Sequence, residues 1–115
     1  MPVTSRGCPD RLTLRAALDA AVARLVARAA VEHWPIRADH CFLRIAYDNA
    51  VGAKWDTVHA RPAYASLPLD RLAAAVDLLA RIEADGRAAL EPLNAASLAY
   101  RRASPSPTPR DRRLL

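Results

Sequence analysis

Apolar side chains recur every three or four residues over long stretches of this chain, and that spacing constrains the fold more than any other feature. The longest such stretch lies between residues 12 and 33. Its apolar stripe consists of Leu14, Leu18, Ala21, Val22, Leu25 and Ala29. A stripe of this period is typical of a helix that buries one face against a neighbouring element. We therefore predict an amphipathic helix that Asp10 caps and that ends near Trp34, before Pro35.

The same period predicts two more helices in the second half of the chain. The first follows Pro68, which suits the first turn of a helix, and ends at Asp85-Gly86. Its spaced apolar residues are Leu69, Leu72, Val76, Leu79 and Ile82. The second is predicted over 87–102, where Pro92 should start or kink it. Its expected buried positions are Leu90, Leu93 and Leu98.

The segment Asp39–Val51 is compatible with a helix and with a strand. Gly52 suits the left-handed residue that follows a helix, whereas Leu43, Ile45 and Tyr47 alternate as in a strand. We favour the helix, capped at Asp39, because no partner strand is evident and a lone strand leaves its backbone groups unpaired. A short helix is predicted over 54–60, closed by the pair Arg61-Pro62.

These elements predict an all-α fold, a small bundle of about four helices. Residues 1–9 are expected to be a flexible N-terminus, 10–102 the helical domain and 103–115 a disordered basic tail. The predicted core draws on every helix. It consists of Leu18, Val22, Leu25, Leu43, Ile45, Leu72, Val76, Leu79, Leu93 and Leu98.

The positive charge is concentrated at the C-terminal end. The chain has 115 residues and a net charge of +5, yet residues 1–100 hold 12 basic and 11 acidic groups. The last fifteen residues hold five arginines and Asp111 as the one acidic residue. A basic tail can contact phosphates or an anionic membrane surface. The alternative, which we favour, is a solvated end that has no such partner.

Cysteine usage and the absence of long apolar runs bear on location. Cys8 and Cys41 do not form a disulfide framework, so a reduced cytoplasmic protein is the simpler interpretation. We expect neither a secretory signal at the N-terminus nor a membrane span, and no membrane partner. Arginine outnumbers lysine 16 to 1, which together with the alanine content suggests a bacterial, GC-rich origin.

The segment 40–64 carries the densest chemistry. On a helix, His40, Arg44 and Asp48 fall at successive turns and share one face. An arginine one turn from a carboxylate could hold an anionic or amide ligand, and a tryptophan could add a flat apolar wall. The alternative, which we weight more heavily, is an exposed Arg–Asp pair beside a core tryptophan. The candidate ligand-binding residues are Arg44, Asp48, Asn49, Lys54, Trp55 and Asp56.

Several kinds of site find little support in the sequence. His33, His40, Cys41 and His59 match no zinc spacing, so no metal is expected. Three glycines cannot build a phosphate-binding loop, and no cofactor is predicted. A cysteine nucleophile needs a base within reach, and the histidine adjacent to Cys41 points elsewhere. No catalytic residue is therefore assigned.

Three segments carry a resemblance to other proteins: HCFLRIAYDNAVGAKWDTV, RPAY and LNAASLAYRR. Together they resemble a group of short, uncharacterised bacterial proteins, some of which carry an N-acetyltransferase label. That label implies a fold with strands and a loop that binds acetyl-CoA through the pattern Arg or Gln, two residues, Gly, any residue, Gly or Ala. Around Gly52 this chain departs from the pattern at both ends, because Asn49 and Lys54 stand there.

We predict a non-enzymatic accessory module that binds a small molecule or a protein through the candidate residues of segment 40–64. Two alternatives stay open. One is an acetyltransferase-like enzyme using His40 or Cys41 with Asp48. The other is a nucleic-acid-associated protein that acts through the arginine-rich tail. The partner itself is not identified by the sequence, and a homodimer is one candidate, since a domain this small buries a modest share of its surface.

Overall fold

The computed structural model describes residues 10–103, and within that range the chain forms helices and no strand. Five helices follow one another, joined by short connections. They are α1 (Arg11–Glu32), α2 (Asp39–Val51), α3 (Ala63–Ser66), α4 (Leu69–Asp85) and α5 (Arg87–Ala103). The predicted all-α bundle of about four helices is confirmed, since α3 is a single turn. The flexible N-terminus and the disordered tail were predicted for residues that lie almost wholly outside the described range.

The segment that was compatible with two structures is the helix α2. Gly52 ends it in the left-handed conformation, with φ of 81°, and donates its N–H to the carbonyl of Asp48 at 2.8 Å. The N-cap is Ala38 rather than the predicted Asp39, which lies in the first turn. There its carboxylate faces the positive end of the helix dipole. The short helix predicted over 54–60 is smaller, a 3-10 turn at Trp55–Thr57.

The core lies where the four long helices meet. Asp10 caps α1 as predicted, accepting the N–H of Thr13 at 2.7 Å. The largest fully buried apolar side chains come from all four long helices and from the connections beside them. They are Trp34, Phe42, Leu18, Leu25, Ile45, Leu67, Leu72, Leu79, Ile82 and Leu90. Six predicted core residues are buried as expected. They are Leu18, Val22, Leu25, Ile45, Leu72 and Leu79.

The prediction that Leu98 belongs to the core is wrong. Its exposed fraction is 40%, whereas the adjacent Ser97 is fully buried. Helix α5 continues through Pro92 and turns a polar face, which includes Ser97, toward α2. Leu98, the residue after Ser97, therefore faces solvent. Leu43, Val76 and Leu93, also predicted for the core, are partly buried and pack against it.

Arginines on α1 connect this helix to neighbouring elements. Arg24 makes a bidentate ion pair with Glu83 on α4, at 2.6 and 3.0 Å. Arg11 donates to the carbonyls of Tyr64 and Leu67, at 3.0 and 2.7 Å, and thereby docks α3.

Between residues 10 and 103, none of the helices combines the length and the apolar character needed to cross a membrane.

Candidate functional site

The carboxylate of Asp48 is buried between α2 and α5. It has no exposed area, and it accepts hydrogen bonds from three groups. Ser97 Oγ donates to Oδ2 at 2.7 Å, and the backbone N–H of Trp55 donates to Oδ1 at 3.0 Å. Arg101 donates to both oxygens: its Nε lies 2.7 Å from Oδ2, and its Nη2 lies 3.2 Å from Oδ1. A buried charge satisfied in this way joins helix α2 to α5 and to the 3-10 turn.

Arg44 is joined to this carboxylate through Ser97. Its Nη1 donates to Ser97 Oγ at 2.8 Å, and its Nη2 donates to Asn94 Oδ1 at 3.0 Å. The serine hydroxyl thus accepts from the arginine and donates to Asp48. The interpretation of an exposed Arg44–Asp48 pair is wrong, because the carboxylate faces the interior and its cation is Arg101.

Asn49 performs a second interhelical contact. Its side-chain amide donates to the carbonyl of Ile45 on its own helix and to that of Leu93 on α5, both at 2.9 Å. The two helices are therefore held at a fixed rotation by polar groups on adjacent residues, Asp48 and Asn49. Such buried, directional contacts specify one arrangement more sharply than apolar packing does.

Aromatic side chains form the next layer outward. Tyr47 meets Trp55 edge to face, with ring centroids 5.4 Å apart. The guanidinium of Arg61 lies 5.3 Å from the Trp55 ring, and its Nη2 pairs with Asp56 Oδ2 at 2.5 Å. The other oxygen of Asp56, Oδ1, is buried without a hydrogen-bond partner among the described residues. Trp55 is buried, so the interpretation of a core tryptophan holds.

Burial controls the ionisation of Tyr47. Loss of hydration is the main cause that raises the pKa of the Tyr47 hydroxyl from 10.0 to about 12, and the nearby carboxylate of Asp19 contributes in the same direction. The phenol is therefore a neutral hydrogen-bonding group at neutral pH.

These residues surround a small cavity of about 190 Å³ at the outer face of α2. Six side chains line it: His40, Leu43, Arg44, Tyr47, Trp55 and Arg61. We call it the α2 cavity. The lining contains two arginines, one histidine and two aromatic residues, and it contains no Asp or Glu. An anion with a short apolar stem matches this combination, because guanidinium groups bind carboxylates and the rings cover the stem.

The structure brings some of the predicted site residues to the α2 cavity and places others behind it. Arg44 and Trp55 line the cavity. Asp48 and Asn49 lie beneath it, where they fix α2 against α5. Asp56 holds the lining residue Arg61. The remaining candidate, Lys54, contributes its backbone carbonyl to the 3-10 turn, and its side chain is not part of the lining.

The candidate set missed residues on both sides of the cavity. His40, Leu43 and Tyr47 are spaced with Arg44 along one face of α2, and helical periodicity could have found them. Arg61 carried no such signal, because it reaches the cavity from a loop. The polar partners on α5, Asn94, Ser97 and Arg101, follow a spacing of three and four that resembles a buried stripe. Of the three quoted segments, the first thus contacts the third through Asp48 and Ser97, and it contacts the second through Asp56 and Arg61.

The other chemical hypotheses lack a supporting arrangement in the part of the chain that is described. His40 is exposed and lies 3.6 Å from Asp39, while the partners of Asp48 are the α5 side chains and the Trp55 amide. Cys41 is a free, half-buried thiol. Across residues 10–103, no three metal-ligating side chains cluster. The strands that the acetyltransferase label implies are not found among the described residues either.

Comparison of the chain with protein-family models, with curated proteins and with solved structures gives no match. The geometry of the α2 cavity is therefore the observation that bears on function.

Proposed function

We propose that this chain is a non-enzymatic binding module that receives a carboxylate group, from a small ligand or from a partner protein, in the α2 cavity. The observation that carries the proposal is the lining itself. Arg44 and Arg61 offer cationic donors, and His40 offers an imidazole, beside the rings of Tyr47 and Trp55. A volume of about 190 Å³ suits a carboxylate and a short stem rather than an extended cofactor.

Arg44 is preorganised for this role. Its hydrogen bonds to Ser97 and Asn94 use two of the five N–H donors of a guanidinium and leave three. The bond to Ser97 is in turn fixed by the buried Asp48. Because the side chain is held before binding, a ligand loses less free energy to ordering it.

Arg61 supplies the exposed member of the pair of cations. Its side chain is 72% exposed, and it is held from one side by Asp56 and from below by the Trp55 ring. An exposed guanidinium can turn toward an incoming anion without breaking the core. Two guanidiniums, one fixed and one exposed, favour the capture of a planar carboxylate.

The test uses phenylacetate as the probe, with phenylacetamide as its uncharged analogue. We expect phenylacetate, with a Kd in the millimolar range, to shift the NMR resonance of the Trp55 indole N–H. The indole of Trp34, which donates to Glu32 at 3.0 Å and does not line the cavity, is the internal reference. Phenylacetamide should shift the Trp55 signal far less, because it carries no charge for the guanidinium groups.

Two variants locate the response. Arg61→Gln should weaken phenylacetate binding several-fold, whereas Arg81→Gln should leave it unchanged, because Arg81 lines a different depression with Asp85 and Pro92. Equal shifts by the acid and the amide, or equal binding by both variants, would show that the α2 cavity is not a carboxylate site.

A further inference from the structure

A second depression adjoins the α2 cavity on the same face of the molecule. It lies between α1 and α2 and has a volume of about 450 Å³. Its lining consists of Asp19, Val22, Ala23, Val26, Asp39 and Leu43. We call it the α1–α2 groove. Leu43 lines both depressions, so they form one continuous surface with this leucine at the centre.

The two depressions differ in charge. The ionisable residues that line the α2 cavity are His40, Arg44, Arg61 and the neutral phenol Tyr47, whereas those of the α1–α2 groove are carboxylates. Asp19 in the groove lies 3.8 Å from Arg15 on its own helix. Asp39 projects from the first turn of α2 with a side chain that is 74% exposed. One surface therefore carries an exposed carboxylate in the groove and two arginines in the adjoining cavity, with Leu43 shared by both.

We propose, building on the function proposed above, that the carboxylate received by the α2 cavity is Asp39 of a second copy of this chain. The spacing along α2 supports this partner. Asp39 lies four residues before Leu43 and Tyr47 lies four residues after it, about 6 Å in each direction at the rise of an α-helix. Two antiparallel α2 helices related by a twofold axis at Leu43 place each Asp39 opposite the Tyr47 end of the other copy.

The resulting interface is self-complementary. The half-buried apolar residues Val26 and Leu43 of both copies cover one another near the axis. The ion pairs between Asp39 and Arg61 lie on either side of the axis, once in each direction. An apolar centre with a charged rim is typical of protein interfaces. A twofold contact of this kind uses the same patch on both partners, so it closes and does not propagate into a fibre.

The test is a charge exchange between copies, followed by sedimentation velocity of the full chain. The unmodified protein should sediment at twice the chain mass of 12.5 kDa. Asp39→Arg and Arg61→Glu should each sediment as a monomer, because each places like charges opposite one another twice per dimer. An equimolar mixture of the two variants should recover the dimer, since both contacts then join opposite charges.

Controls separate this effect from loss of structure. Asp70→Arg makes the same charge change in the first turn of another helix, α4, and should remain dimeric. Circular dichroism and thermal unfolding check each variant. Because Arg61→Glu places a second carboxylate beside Asp56, Arg61→Gln replaces it if the unfolding midpoint falls, and the dimer should still weaken at least several-fold.

The outcomes distinguish the two proposals. A monomeric unmodified chain that still binds phenylacetate would overturn the second copy as partner and leave the carboxylate site standing. A dimer that survives Asp39→Arg, or a mixture that fails to recover the dimer from folded variants, would overturn it as well. Recovery of the dimer by mixing alone would establish that Asp39 and Arg61 meet between copies.

Discussion

At the scale of the residue, the molecule is organised around Asp48. The sequence pattern associates this carboxylate with Arg44, one turn away, but the structure pairs it with Arg101 from α5. The difference has a steric origin. Asp48 lies on the side of α2 that packs against α5, so its counter-charge arrives from the opposing helix, whereas Arg44 reaches the same carboxylate only through Ser97.

Replacing Asp48 by asparagine should expose the importance of this pair. Asp48→Asn keeps the shape of the side chain but leaves Arg101, whose side chain is only 27% exposed, without its counter-charge. We expect a loss of roughly 3 kcal/mol in the free energy of unfolding, measured by urea denaturation. Asp77→Asn, at an exposed position of α4, should change it by less than about 0.5 kcal/mol. Similar losses in both variants would contradict the central role of Asp48.

Tyr47 should make stability fall in alkali. Its pKa is raised to about 12 in the folded chain, chiefly by burial, from an ordinary value of 10.0. The unfolded chain therefore releases this proton first, and the stabilisation is complete below pH 10.0 and lost as the pH rises toward about 12. Each pH unit in that window is worth at most about 1.4 kcal/mol.

Tyr47→Phe tests this dependence because it keeps the ring and removes the titrating group. Urea midpoints at about pH 9 and about pH 11 should differ less in the variant than in the unmodified chain. Parallel declines in the two proteins would assign the alkaline sensitivity to other residues.

At the scale of the element, the rotation of α5 is the feature that builds the site. An apolar pattern alone favours Leu90, Leu93 and Leu98 as the buried face. The structure instead buries Leu90 and Ser97 and leaves Leu98 on the surface. The polar groups of α2 determine this rotation, because a buried carboxylate without hydrogen bonds would destabilise the fold by more than one exposed leucine does.

Two leucine truncations on this one helix measure its rotation. Leu90→Ala should lower the free energy of unfolding by about 2–4 kcal/mol, because it opens a cavity in the core. Leu98→Ala should lower it by no more than about 0.5 kcal/mol. Since the helix and the substitution are the same, the difference reports burial alone, and equal losses would mean that α5 faces the other way.

For the whole molecule, the main electrostatic feature is that two neighbouring depressions carry charges of opposite sign. The α2 cavity is lined by cations and aromatic rings, and the α1–α2 groove has carboxylates. A small helical domain of this size gains stability by covering such a surface, because few large apolar residues are available for its core.

Association should make the thermal midpoint depend on protein concentration. If two copies cover this surface in the folded state, the midpoint of the unmodified chain rises as the concentration is increased, by mass action. The midpoint of Asp39→Arg should stay constant over the same range, and Asp70→Arg should behave as the unmodified chain does. A concentration-independent midpoint in all three proteins would contradict association in the folded state.

Local sequence patterns were sufficient to predict the long helices α1, α4 and α5 and to favour a helix for α2. Periodicity predicted the apolar faces of α1 and α4, and Asp10 and Gly52 predicted a start and an end. The chemically dense segment 40–64 contained all six residues of the cavity lining. These features are local, because they depend on residues within one or two turns of each other.

Which polar groups meet depends on the packing of the helices. Arg101 finds Asp48 from 53 residues away along the chain, and Arg61 reaches the Trp55 ring from a loop. Neither pairing follows from a helical period. Arg61 lies in a loop, and the pairing of Arg101 with Asp48 depends on how far each helix is rotated about its own axis. That rotation is a property of the packed bundle, in which every buried polar group must find a partner at the same time.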